Sequence, residues 1–75
     1  SSNGNLRDIF NEQQYAVVRR LIKGLPNKII AYELNLSEGT IKDIVRNIMR
    51  KIGATNRTEI SYIIDQLCKS KKIPL

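Results

Sequence analysis

Histidine is missing from this chain altogether. That removes imidazole acid–base catalysis, His-activated nucleophiles and His metal ligands in one stroke. Cys68 is the single cysteine, so neither an internal disulfide nor a Cys-based zinc site can form, and it is expected half-buried as a small apolar residue. No metal or cofactor is expected. Tryptophan is also absent and aromatics make up only 5% of residues, so any core must be built from Ile, Leu and Val. Phe10, Tyr15, Tyr32 and Tyr62 are not interleaved with basic residues, which argues against a platform for stacking RNA bases. No apolar run approaches the roughly 18 residues of a membrane span, and no charged-then-apolar leader pattern opens the chain. Acidic residues are few and scattered: Asp8, Glu12, Glu33, Glu38, Asp43, Glu59 and Asp65. With no paired carboxylates, no Gly-rich phosphate loop and no nucleophile–base pair, the sequence does not read as an enzyme.

What is present is positive charge and helical periodicity. Thirteen Lys and Arg against seven Asp and Glu give a net charge of +6, which favours polyanionic partners. Seventy-five residues make one small domain, able to bury about 60% of the surface its unfolded chain exposes. The spacing predicts four helices, an all-α domain occupying residues 10–69. Residues 1–9 are expected to be a linker or disordered segment, beginning with the flexible run Ser1-Ser2-Asn3-Gly4-Asn5, although Leu6 to Phe10 can form a turn that packs Ile9 or Phe10 onto the domain. Residues 70–75 read as a basic tail. Asn11 and Gln14 resemble a capping box for a first helix with Tyr15, Val17, Val18, Leu21 and Ile22, ending at Gly24. Pro26 marks the break before a short second helix, Lys28 to Leu34. A fourth helix, capped by Thr55 or Asn56, carries Ile60, Ile63, Ile64, Leu67 and Cys68 to about Lys69.

The third helix is the most informative. Ser37 can cap it and Gly53 can close it in a left-handed conformation. Between them Ile41, Ile44, Val45, Ile48, Met49 and Ile52 recur at three- and four-residue steps, lining one face. Lys42, Arg46, Arg50 and Lys51 fall on the other. Such a helix suits the DNA major groove, but a bare basic amphipathic helix also suits a membrane surface or an acidic partner. The second and third helices, joined by Asn35-Leu36, form a helix-turn-helix unit in which Leu34 and Leu36 would wedge the pair at its angle.

Four runs in register carry a resemblance: Gly24-Leu25-Pro26-Asn27-Lys28-Ile29-Ile30-Ala31, Leu34-Asn35-Leu36-Ser37-Glu38-Gly39-Thr40-Ile41-Lys42, Asn47-Ile48-Met49-Arg50-Lys51-Ile52-Gly53-Ala54 and Asn56-Arg57-Thr58-Glu59. Together the chain resembles the LuxR/GerE-type DNA-binding domain, the C-terminal output domain of NarL/FixJ-type response regulators and quorum-sensing regulators. The resemblance implies a four-helix fold with the third helix (about 38–52) in the major groove of double-stranded DNA. It also implies an N-terminal receiver or ligand-sensing domain, a bacterial cytoplasmic setting, and RNA polymerase as a further partner. Carried over by position, Lys42, Asp43 and Arg46 fall where relatives contact base edges. Asn27, Lys28, Thr40, Asn47 and Arg50 fall at or near phosphate-contacting positions, and Lys51 joins them as a cation farther along the helix, where the groove falls away. For Arg57 the resemblance favours a structural role, the alternative being a contact with DNA. The resemblance further implies a homodimer on DNA through the fourth helix, whose Ile60, Ile63, Ile64 and Leu67 exceed what one buried stripe needs; the alternative is that all four pack inward around a small bundle.

The departures from the family pattern matter as well. Asn11 and Gln14 replace a usual Thr and Glu, reducing an ion pair from the first helix towards Arg57 to a hydrogen bond at most. Pro26 and Ile29 replace the Ser and Glu that often open the second helix, removing a capping box. Ile44 stands in place of a common His, matching the apolar stripe. Asp43 takes the place of a small or apolar residue; it either accepts from cytosine N4 or orients Arg46. The competing reading is a protein-interaction module that keeps the helix-turn-helix fold and docks a partner protein.

Overall fold

The computed structural model of the chain describes residues 6–71. Among these it has five helices and no strand: α1 (Leu6–Ile9), α2 (Glu12–Ile22), α3 (Asn27–Leu34), α4 (Glu38–Ile52) and α5 (Arg57–Lys71). The four expected helices are α2 to α5. The linker reading of residues 1–5 and the tail reading of residues 72–75 lie outside the described residues.

The additional helix falls where the sequence allowed a turn from Leu6 to Phe10 packing Ile9 or Phe10 onto the domain. Leu6–Ile9 is a single helical turn, closed by the Phe10 N–H donating to the Leu6 carbonyl at 3.1 Å. Leu6 is fully buried and Phe10 nearly so, and the Arg7 guanidinium lies 5.0 Å from the centre of the Tyr15 ring. One turn shows no periodicity to read, and its ordering comes from burying two large apolar side chains, each worth about 1.5–3 kcal/mol.

The helix ends follow from local chemistry. Asn11 Oδ1 accepts from the Gln14 N–H at 2.7 Å while Gln14 Oε1 accepts from the Asn11 N–H at 3.1 Å, completing the capping box. Gly24, at φ +81°, turns the chain after α2, a conformation costly for a residue with a Cβ. α3 starts behind Pro26 with no side-chain cap, as the loss of the Ser and Glu implied, and ends at Asn35 in the left-handed region. Three residues, Asn35 to Ser37, separate α3 from α4, which Ser37 caps by accepting from the Thr40 N–H at 3.1 Å. Gly53 closes α4 at φ +76°. Asn56 rather than Thr55 caps α5, accepting from the Glu59 N–H at 3.0 Å. Glu59 in turn accepts from the Thr55 N–H and hydroxyl at 2.7 and 2.9 Å, and these bonds, the backbone one foremost, hold its carboxyl below the ordinary glutamate range. α5 continues to Lys71 instead of ending at Lys69.

α4 packs against α2, α3 and α5 and so forms the spine of the domain. Its Ile41, Ile44, Val45 and Ile48 meet Val17, Val18 and Leu21 of α2, Ile30 and Ala31 of α3, and Ile60 and Ile64 of α5 in one core. Leu34 and Leu36 pack at its edge, where they set the α3–α4 angle. Arg20 links α2 to α3 through Glu33 at 2.8 Å.

Candidate nucleic-acid interface

Because the core stripe occupies one side of α4, everything else on that helix faces outward. Lys42, Asp43, Arg46, Asn47 and Arg50 are all exposed, and Lys42, Arg46 and Arg50 follow one another at four-residue steps along a single ridge. Ile44, at the position of the family's common histidine, is buried in the core. The three residues expected at base edges therefore share the outward face, within about two and a half turns of the capped start of α4. Their head groups also interact: Arg46 Nη1 donates to Asp43 Oδ1 at 3.1 Å.

The six residues expected at phosphates divide into two groups. Lys28, Asn47 and Arg50 are exposed and unengaged, while Thr40 sits beside the Ser37 hydroxyl at 2.9 Å. Lys51 instead leans towards α2 and donates to Gln14 Oε1 at 3.1 Å. Gln14, Asn47, Arg50 and Lys51 then line one open concavity beside the α4 ridge. Asn27 Oδ1 accepts from Arg57 Nη1, and Arg57 Nη2 donates to the Leu25 carbonyl, so Arg57 clamps the start of α5 onto the turn before α3. This leaves the Asn27 amide nitrogen as a donor for other partners. The expected approach of Gln14 to Arg57 does not occur: Gln14 is taken up by the cap and by Lys51. Gln14 and Arg57 thus shape the basic surface through contacts 37 and 30 residues apart in sequence, and no local pattern announces them.

The fourth-helix assignment needs correction. Ile60 and Ile64, expected at a dimer interface, are 0% and 1% exposed. They lie one turn apart on the side of α5 that closes the core, so neither can meet a second copy without unfolding. Ile63 and Leu67 lie on the flank of that stripe and are half-buried, and Tyr62 beside them is 64% exposed. Cys68 is half-buried, as expected.

Among the described residues no helix is long and apolar enough to cross a membrane, and no cluster of His, Cys, Asp or Glu is arranged to hold a metal ion. A helix pair with a three-residue turn, its second member apolar inside and cationic outside, defines a helix-turn-helix domain of the DNA-binding class. The chain belongs to the luxR family of bacterial regulatory proteins, whose profile matches residues 8–64. It is 42% identical over 55 residues to the transcriptional regulatory protein YdfI of Bacillus subtilis, covering 73% of this chain and 26% of that protein. It is 36% identical over 58 residues to the nitrate/nitrite response regulator protein NarP of Escherichia coli, covering 77% and 27%. With the two-component response regulator PprB of Pseudomonas aeruginosa it shares 43% identity over 52 residues, 69% and 19% of the two chains. The matches thus span about a quarter of the length of these relatives. No solved structure matches the chain with significance. The family is one of DNA-binding transcription regulators and not of enzymes.

Proposed function

We propose that the domain binds specific sites in duplex DNA as the output domain of a bacterial response regulator, with α4 in the major groove. The observation that carries this reading is the unbroken outward ridge of Lys42, Arg46 and Arg50 on a helix whose opposite side is fully committed to the core. Lys42, Asp43 and Arg46 face base edges. Asn27, Lys28, Thr40, Asn47, Arg50 and Lys51 surround them and position the helix on phosphates, which fixes register without reading sequence. Two copies bind adjacent half-sites through the outer flank of α5, with Ile63 and Leu67 in place of the buried Ile60 and Ile64. The setting is cytoplasmic, and RNA polymerase is a partner of the bound regulator.

Titration of the chain with duplex DNA at several salt concentrations tests this. If about four phosphates are neutralised, log K falls with log salt at a slope of roughly −3 to −4. A second reading, a module that docks another protein, is favoured by Ile29 and Tyr32, which leave α3 with 39% and 85% exposed apolar side chains. Absent or salt-insensitive duplex binding would favour that alternative.

A further inference from the structure

Asp43 is an unusual residue to place on the centre of a cationic face that approaches a polyanion. As an exposed ion pair three residues apart on one helix, its bond to Arg46 adds little to stability: the two side chains are 69% and 63% exposed. Its chemistry towards a base edge is another matter. The bond occupies Arg46 Nη1 and leaves the Nε–Nη2 edge of the guanidinium without a protein partner, a two-pronged donor of the width that guanine O6 and N7 accept. Asp43 Oδ2 is likewise unoccupied and can only accept. The two head groups stand 3.1 Å apart, closer than the ~3.4 Å rise between successive base pairs, so they meet one base pair or two in immediate contact. In the major groove a G·C pair offers this complement: two acceptors on guanine, and the N4 amine on the cytosine beside it.

We infer that Asp43 and Arg46 act as one reading unit for a G·C pair, Arg46 binding guanine and Asp43 accepting from cytosine N4, with Asp43 excluding any edge that turns an acceptor towards it. The inference rests on the placement of α4 in the major groove. Inverting the pair to C·G puts guanine O6 or N7 against the carboxylate, an acceptor facing an acceptor, so discrimination comes from repulsion as much as from attraction. A carboxylate at this position also weakens attachment to phosphate in general, and so lowers affinity for random DNA while sharpening the choice of site.

The test is a competition series in which each base pair of the selected half-site is changed in turn, run on the wild-type chain, Asp43→Asn and Asp43→Ala. For the wild type, one position should lose about tenfold or more in affinity when G·C is inverted to C·G. Both variants should lose the share of that penalty owed to the carboxylate and keep the share owed to Arg46 losing guanine, Asp43→Asn because an amide also donates and tolerates an acceptor, Asp43→Ala because nothing faces the base. Asp43→Ala should also bind random duplex more tightly than the wild type at low salt. Circular dichroism should give all three proteins melting temperatures within about 3 °C, since Asp43 is exposed. Variants that keep the full inversion penalty would overturn the pairing of Asp43 with cytosine, as would a wild type that binds a specific site but has no such position. A wild type with no affinity for any duplex would overturn the placement of α4 itself, an outcome distinct from the other two.

Discussion

α4 and α5 are both 15 residues long and both amphipathic, yet they treat their apolar side chains differently. Every large apolar residue of α4 is buried or half-buried, and the outward surface is left to Lys42, Asp43, Arg46, Asn47 and Arg50. α5 buries Ile60 and Ile64 but leaves Ile63 and Leu67 half-covered and Tyr62 exposed. The difference follows from position. α4 has neighbours on three helices and can hide a wide stripe, whereas α5 lies at the edge and meets only α2 and α4 closely. One helix therefore offers a polar, charged surface. The other keeps a half-covered apolar flank at Ile63 and Leu67, the surface proposed above to join two copies on DNA.

The largest expected effect breaks this comparison at the core. Ile64→Glu places a carboxylate where the side chain is 1% exposed, at a cost of about 3–5 kcal/mol, against a total stability of roughly 4–11 kcal/mol for a domain of this size. Thermal melts followed by circular dichroism should show a domain unfolded or close to it. Ile63→Glu, one residue along, should fold and bind a single half-site as the wild type does, but lose cooperativity on paired half-sites. Retained cooperativity in folded Ile63→Glu and Leu67→Glu would remove α5 as the contact between copies.

On α4 the effects are smaller and concern binding. Arg46→Ala should cost about 1–3 kcal/mol on the preferred site and relax preference at one position, whereas Lys28→Ala should weaken all duplexes about equally. Equal losses on specific and random DNA for both would reduce Arg46 to a phosphate contact. The smallest expected effect lies at the start of α5. The carboxyl of Glu59 is held below its ordinary range by its bonds to Thr55, so its contribution to stability is present above the ordinary glutamate value of about 4.3 and drains away as pH falls through the lowered folded value. The melting temperature of the wild type should exceed that of Glu59→Gln at neutral pH, and the gap should close in acid. A pH-independent gap would assign the effect to packing.

Legibility in the sequence tracked the range of the interactions. Ser37 and Gly53 bracket α4, and Asn11 and Gln14 cap α2, because each acts on backbone within a few residues. The outward face of α4 was readable for the same reason, since a single apolar phase fits all of its residues. α5 repeats that spacing at Ile60, Ile63, Ile64, Leu67 and Cys68, so its pattern could not show that Ile63 and Leu67 stay half-covered; that follows from its having close neighbours only in α2 and α4. α1 was readable only as a turn packing onto the domain, because four residues carry no period. The Lys51–Gln14 and Arg57–Asn27 contacts escaped because their partners come from distant parts of the chain.

Selection of bound duplexes from a random DNA pool, carried out in parallel with the wild-type chain and Arg46→Ala, tests most directly whether the outward face of α4 reads DNA sequence. The wild type should enrich a short motif, occurring as two half-sites, that contains a guanine at one fixed position. Arg46→Ala should enrich a motif degenerate at that position and otherwise the same. Identical motifs from the two proteins, or no enrichment from the wild type, would contradict the account.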